Sequence, residues 1–481
     1  MNTRRWWLLL AALALIVFAW VQVGTPRRGL VVRSLTRDGV PMLFLAPAAA
    51  ERVPALLVAH GFAGSKQLML GYGYTLARAG YAVLLWDFGG HGANAGRLER
   101  DSLQRDLDLA YAVLVAQPEV DAGRVALLGH SMGSGAVMTA AIQQPDRYAA
   151  VVAVSPTGAD VTSDLPRNLL LQAGSWEGRF VANAERLLAA AGGPNTDLAS
   201  GRARGLIIIP NAEHISILFR GESHRTALDW LGQTFGAARA TDYTDRRILW
   251  YGLHLLGWLL ALVAAAPLLR SGLPAERYAP AWRSWLGLLV GPAVAAGALG
   301  LAGRAVALQN FGGLVVGGAV GLWLLLAGLI WLWFNRPLQR PAPAGVLLGV
   351  ICLLCLVAMF GVMAQSVWVQ WWLVGPRLWR WPLLALASLP WFLAAGFAQW
   401  GASAAGRALW WVGQSVALVG GLLVTLALVP ALGFLVLLMP LLPVILGILA
   451  FVATAFDRPW PYALGSAFFF GWVLAAVFPL A

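Results

Sequence analysis

The sequence predicts an open α/β sheet domain joined in one chain to a polytopic α-helical membrane domain. Three observations predict it. Hydrophobic residues make up 59% of the 481 residues and charged residues only 12%, against about 25% charged in an average soluble domain. A water-facing surface needs more charge than that, so a large part of the chain must lie in lipid. Between Gly29 and about Gly236, short apolar runs alternate with amphipathic stretches, the pattern of strands and helices in an open α/β sheet. Beyond Arg246-Arg247 the chain is apolar in runs of spanning length.

Residues 1–28 read as an N-terminal transmembrane anchor. Two arginines, Arg4 and Arg5, precede a mostly apolar run from Trp6 to Val23. That run is longer than the apolar region of a cleaved signal peptide, the rival reading, and carries no clear small-x-small cleavage site. The sheet domain is expected over 29–240. Leu30–Leu35 and Met42–Leu45 flank Asp38-Gly39, a hairpin signal because the two-residue turn needs φ > 0. Ala55–Val58, Ala82–Trp86, Val125–Leu128, Val151–Val154, Leu169–Leu171 and Leu206–Ile209 follow as continuous apolar runs, as strands buried on both faces require. The helices expected between and after them are Leu68–Ala79, Asp101–Ala116, Gly133–Gln143, Gly178–Ala190 and His224–Phe235.

Residues 241–481 are expected to form a transmembrane domain of about eight helices: Ile248–Leu269, Trp285–Ala302, Gly312–Phe334, Ala344–Ala364, Trp381–Trp400, Ala408–Pro430, Leu432–Phe456 and Trp460–Pro479. Each is close to the roughly 20 residues a bilayer demands. With the anchor this makes nine, and the pair divided only by Pro430 to Gly433 could instead hold a re-entrant segment. An inside N-terminus places Arg4, Arg5, Arg270, Arg277, Arg283, Arg336, Arg340, Arg407 and Arg458 in inner segments. The short outer loops then keep only Arg304, Arg377 and Arg380. This satisfies the positive-inside rule, although Arg27, Arg28, Arg246 and Arg247 border the translocated domain. The expectation is a bacterial-type plasma-membrane protein whose sheet domain faces the extracytoplasmic side.

The formal charge of +12 does not point to nucleic acid. The sheet domain is nearly neutral, and outside it 16 arginines face only Glu276 and Asp457 once Asp242 and Asp245 are counted with the sheet domain. The excess lies beside apolar segments, where it suits membrane topology and anionic lipid headgroups. Cys352 and Cys355 share one apolar segment with no second pair or histidine nearby. They read as small hydrophobes rather than a redox or metal pair.

Chemistry concentrates in the sheet domain. Gly129-His130-Ser131-Met132-Gly133 follows a strand and precedes a helix. This is the setting in which Gly-x-Ser-x-Gly thrusts a serine hydroxyl out of the sheet. The helix N-terminus then faces developing negative charge. Upstream, Val58-Ala59-His60-Gly61-Phe62 ends the third strand, and Trp86-Asp87-Phe88-Gly89-Gly90-His91-Gly92 follows the fourth. With these motifs, Gly29 to Phe235 resembles the α/β-hydrolase superfamily, and within it the serine esterases, lipases and acylaminopeptidase-like hydrolases.

The resemblance implies that Ser131 is the nucleophile and that the amides of Phe62 and Met132 form the oxyanion hole. It places an acid at Glu177, three residues past Gly174, with Asp160 after the sixth strand in reserve. The base falls at His214 in Asn211-Ala212-Glu213-His214, after the last strand. Ser–acid–His is the chain order expected of this fold. In these roles His214 takes the Ser131 proton and Glu177 orients the imidazole. Glu213 is the weaker acid candidate because adjacent side chains seldom converge. His60 and His91 read as turn-stabilising, and His224 as a solvated or capping residue.

Only Ser155 to Arg167 is available for a lid between the sixth and seventh strands. The segment after Ala364 carries Trp368, Trp371, Trp372, Trp379 and Trp381 with Arg377 and Arg380. It reads as an interfacial aromatic belt or as a loop covering the active site and guiding an acyl chain. The expected activity is hydrolysis of a carboxylic ester with a lipid-like or hydrophobic acyl group, with no metal or organic cofactor and with membrane lipids as surroundings. A peptidase or thioesterase with the same residues is the alternative. A transporter, or a scaffold with a degenerate hydrolase domain, is the alternative of another class. The spans offer little beyond His254 and Gln414 for a transport path.

Overall fold

The computed structural model describes residues 3–99, 101–236, 241–269, 281–335 and 340–481. Two compact units emerge. One joins Met1–Ala19, Gly252–Met363 and Leu373–Ala481; the other joins Trp20–Tyr251 with Ala364–Trp372.

The second unit is built on eight strands: β1 (Leu30–Arg37), β2 (Val40–Pro47), β3 (Val53–Ala59), β4 (Ala82–Trp86), β5 (Val120–His130), β6 (Val151–Val154), β7 (Leu169–Gly174) and β8 (Arg204–Ile209). Their order across the sheet is β1-β2-β4-β3-β5-β6-β7-β8. β1 and β2 form the expected hairpin, Arg37 pairing with Val40. The turn residues Asp38 and Gly39 have φ 48° and 79°, as a type I′ turn requires. β2 is antiparallel to β4, and every pairing from β4 to β8 is parallel.

The inner parallel strands β3, β4, β6 and β7, and β5 from Val125, are buried on both faces, whereas the edge strand β8 exposes Ile208; successive residues serve opposite faces. Leu57, Leu127, Val151 and Leu171 join the core beneath α3 (Ser102–Val115), α4 (Met132–Gln143) and α5 (Gly178–Ala190). Leu56, Leu128, Val152 and Leu170 join the core beneath α2 (Leu70–Arg78) and α6 (Gly221–Phe235). This explains why apolar runs rather than alternation marked the strands. A buried polar chain ties α6 to the sheet on the second face: Tyr72 Oη lies 2.6 Å from Ser223 Oγ, which donates to Gln172 Oε1 at 2.8 Å.

The first unit is helical. It contains most of α1 (Thr3–Gly24) and α7 (Arg247–Leu269), then α8 (Ala281–Ala302), α9 (Gly317–Phe334), α10 (Pro343–Leu356), and α12 (Gly375–Gln399) to α15 (Pro459–Val477). A π-turn at Val357–Gly361 joins α10 to α11 (Val362–Val367), so 343–367 runs as one span. Among the described residues eight helices are long and apolar enough to cross a membrane, or nine if one broken pair is counted. That pair is Pro430–Val436 with Leu441–Val452, bent by 60°. It falls where the sequence left the count open, and α13 (Ala404–Leu428) runs separately before it. Arg270, Arg277 and Arg336, which enter the orientation argument, lie outside the described residues.

The tryptophan- and arginine-rich segment after Ala364 is not a single loop, contrary to the expectation from sequence. Trp368, Trp371 and Trp372 belong to the sheet unit, whereas Arg377, Trp379, Arg380 and Trp381 open α12 in the helical unit. The physical reason is a capping contact. Buried Arg377 donates through Nη1 to Ala475 O at 2.5 Å and Phe478 O at 2.7 Å, where the orphan carbonyls at the end of α15 need donors.

Candidate active site

The site begins with one residue of strained backbone. β5 ends at His130 and α4 starts at Met132, which leaves Ser131 in the turn with φ 51° and ψ −119°. A non-glycine residue holds such a conformation only where its surroundings over-determine it. Here Ser131 N donates to Val154 O at 2.9 Å, and Ser131 O accepts from Thr157 Oγ1 at 3.1 Å and Ser134 N at 2.9 Å. The flanking glycines are required by close approach. A Cβ on Gly129 would stand 2.4 Å from Gly133 O, and one on Gly133 2.5 Å from His60 O. A Cβ on Gly61 would meet His130 Nδ1 at 2.8 Å and Ser131 Cβ at 3.1 Å, so the His60-Gly61-Phe62 turn runs directly against Ser131.

His214 lies in the turn after β8, with Nε2 3.0 Å from Ser131 Oγ and Nδ1 3.4 Å from Glu177 Oε2. The second distance exceeds the roughly 2.7–2.9 Å of a charge-assisted bond; such contacts tighten when substrate is bound. Phe180 stacks on the imidazole with ring centroids 4.2 Å apart. Behind it, His130 Nε2 donates to the His214 carbonyl at 2.9 Å. Burial, helped by the neighbouring His214, holds the His130 pKa well below the ordinary histidine value. His130 therefore stays neutral and fixes the backbone of His214 without competing for its proton.

Glu177 follows β7 and stands at the cap of α5. Its Oε1 accepts from Ser155 Oγ at 2.9 Å, which leaves Oε2 facing His214. Asp160, the reserve acid, is exposed and makes no hydrogen bond to His214. Glu213 is occupied locally, its carboxylate accepting from Ile215 N at 3.0 Å and Ser216 N at 2.6 Å. In the sequence Ser155 marked only the start of the segment available for a lid. It sits just past β6 with φ 47°, but nothing about Ser155-Pro156 distinguishes it from an ordinary strand end.

Phe62 follows the Gly61 turn, and Met132 opens α4. The surrounding loops are held by buried polar groups. His60 Nε2 accepts from Phe88 N at 3.1 Å, and His91 Nδ1 lies 3.0 Å from Gly89 O. Both histidines sit in turns. Asp87 is buried; it accepts from Lys66 N at 2.7 Å and Ala93 N at 2.9 Å, and pairs with Lys66 Nζ. Burial alone would raise the Asp87 pKa, but Lys66 and the other donors outweigh it and hold the carboxyl below its usual range. His224 departs from expectation. It is neither solvated nor a cap but buried, its ring 4.5 Å from that of Tyr72 and its Nε2 2.9 Å from Leu218 O. The helix starts three residues earlier than the apolar pattern suggested, which turns His224 inward.

Comparison with known proteins agrees with this architecture. Residues 50–199 match the family model described as serine aminopeptidase, S33. An uncharacterised protein of Mycobacterium tuberculosis is 37% identical over 103 residues, 21% of this chain and 36% of that protein. Cutinase est1 of Thermobifida alba is 29% identical over 103 residues, 20% of this chain and 33% of the cutinase. The chain thus spans about a third of the length of the curated relatives it matches. Among solved structures, a hormone-sensitive lipase from a metagenome library aligns with 17% identity and a TM-score of 0.34, covering 49% of this chain and 97% of the lipase. The part of the chain built on β1 to β8 has the α/β-hydrolase fold, and it is joined to helices long and apolar enough to cross a membrane.

Proposed function

We propose that the protein is an integral-membrane serine hydrolase that cleaves carboxylic esters with lipid-like or hydrophobic acyl groups. One observation carries the reading: Ser131 Oγ stands 3.0 Å from His214 Nε2 on a strained strand-to-helix turn. In this reading Ser131 Oγ attacks the ester carbonyl carbon while its proton passes to His214 Nε2. The resulting oxyanion is held by the amides of Phe62 and Met132. Collapse breaks the bond to the alcohol, which leaves with the proton from His214. Water then releases the acid by the same steps, with His214 again as base, Glu177 orienting the imidazole and balancing its charge, and Ser155 holding Glu177. The apolar helices support a membrane location, and the arginine distribution supports an extracytoplasmic sheet domain.

Fluorophosphonate labelling of the full chain, compared with Ser131→Ala, Glu177→Ala and His214→Ala, tests the assignment. Undiminished labelling of Ser131→Ala would overturn it. The aminopeptidase description of the matching family favours a second reading, cleavage of an N-terminal amino-acyl amide. A panel of acyl esters of increasing chain length beside amino-acyl amides separates the two. Turnover of the amides alone selects the second.

A further inference from the structure

A short piece of chain between two spanning-length helices belongs to the sheet unit. Ala364–Trp372 joins the 343–367 span to α12, yet it packs with Trp20–Tyr251. Trp368 rests on the core beneath α2 and α6, with its ring 6.4 Å from that of Tyr251. Ser366 O accepts from Arg247 Nη1 at 3.0 Å. At its centre stands Gln370, buried and bonded through its side-chain oxygen, its side-chain nitrogen and its backbone N–H. Its side-chain oxygen accepts from Gln67 Nε2 at 2.7 Å and from Gln365 Nε2 at 3.0 Å. Its side-chain nitrogen donates to Trp372 O at 2.9 Å, and its backbone N–H donates to Ser65 Oγ at 3.1 Å.

Ser65 and Gln67 are the far end of the turn that starts at His60-Gly61-Phe62. That turn contains a positive φ of 56° at Ala63, and Gly64 N bonds back to Gly61 O at 3.1 Å. Strain of this kind persists only while both ends are held. The near end is held by His60 on Phe88 N. The far end is held twice, by Lys66 on Asp87 and by Gln370 on the two residues that flank Lys66, Ser65 and Gln67. We propose that Gln370 is a positioning residue for the oxyanion turn: a residue encoded between two spans fixes where the Phe62 amide points. This rests on the serine-hydrolase reading, because the Phe62 amide matters only if an oxyanion forms on Ser131.

The test uses the full chain in detergent or lipid vesicles, with a short-chain ester as substrate and a trifluoromethyl ketone as probe. The ketone adds to the serine and places a negative oxygen in the oxyanion hole, whereas the ester's KM reflects the ground state. Loss of one complete oxyanion donor lowers kcat by about 10²–10³-fold; misplacing one, as in Gln370→Ala, is expected to lower it by about 10-fold. KM should stay within about twofold, and the ketone's inhibition constant should rise by the same factor as kcat falls. Ser65→Ala, a milder change that removes only the acceptor of the Gln370 N–H, should act in the same direction. Gln67→Ala combined with Gln370→Ala should be no worse than Gln370→Ala alone. Wild-type kcat and ketone affinity in both Gln370→Ala and Ser65→Ala would overturn the proposal while leaving the hydrolase reading intact. A wild-type chain that neither reacts with fluorophosphonate nor turns over ester would overturn the hydrolase reading and this proposal with it.

Discussion

In the sheet unit the buried hydroxyl of Ser131 reaches 83 residues along the chain to His214, and Ser155 reaches 22 to Glu177. In the helical unit Ser388, Gln399, Gln414, Ser415 and Thr425 each donate to the carbonyl four residues earlier in their own helix. The two sets are equally buried and differ in what they are for. Bonds between distant elements fix a geometry that no single element could hold, which is what a reacting constellation requires. Bonds within one helix satisfy a polar atom without tying it to another element. A transport path is usually marked by ionisable residues within the spans. His254, the histidine singled out in them, lies 3.4 Å from the Ala358 carbonyl. We propose that the chemistry belongs to the sheet unit and that the helices support it; long-range bonds in the helical unit, such as Trp331 Nε1 to Ser284 Oγ and Asn335 Nδ2 to Ala394 O, lock helices to one another.

The largest effect that can break this comparison is loss of the serine. Ser131→Ala or His214→Ala should each reduce ester turnover by about 10⁴-fold or more, measured as kcat on a short ester beside fluorophosphonate labelling. Retained turnover in either would remove the sheet unit's claim. Glu177→Ala should cost about 10³-fold in kcat, whereas Asp160→Ala should change it by less than about twofold. A reversed order would transfer the acid's role away from the residue that Ser155 holds.

The third prediction concerns the helices as support. A Cβ on Gly328 would stand 2.3 Å from Trp391 N, so α9 and α12 touch through backbone there. Gly328→Ala should destabilise the helical unit by about 1–3 kcal/mol, read as a lower melting temperature in detergent. An unchanged melting temperature would show that this approach is not tight.

Smaller still is a pH effect. Burial is the largest cause that lowers the pKa of His60, His130 and His224. The unfolded chain takes up protons on these histidines below about pH 6.5, and the native chain resists doing so. Stability is therefore full above that pH and falls as pH drops from about 6.5 toward the lowered native values. The melting temperature should decline between pH 7 and pH 5, and His224→Asn should flatten part of that slope. Identical slopes in the two proteins would refute the assignment to His224. The smallest expected effect is that of Gln414→Leu. Among the described residues its side chain donates to Trp410 O alone, so kcat should stay within about twofold; a larger loss would give the helical unit a part in the chemistry.

How much of this was legible in the sequence depended on distance along the chain. The Asp38-Gly39 hairpin, the parallel strands and the Gly-x-Ser-x-Gly turn are local patterns, and the structure reproduces each within a few residues. The spans were equally plain, because length and hydropathy alone define them. The break between α13 and the helix Leu441–Val452 could only be suspected, since Pro430 and Gly433 allow either a short turn or a re-entrant segment. Gly129 and Gly133 could be read as a motif, but the reason for them, contact with each other and with His60 O, needed the fold.

By itself the sequence determined that one chain carries a strained serine turn on a parallel sheet and a set of bilayer-length helices, because backbone geometry and hydropathy act over a few residues. Only the tertiary structure decided that Ser155 holds Glu177, that His224 is buried, that Arg377 caps another helix, and that Gln370 meets Ser65 and Gln67. Each of those depends on which buried polar atoms meet after long loops close. The free energy of satisfying them is a property of the assembled fold, and no spacing along the chain encodes it.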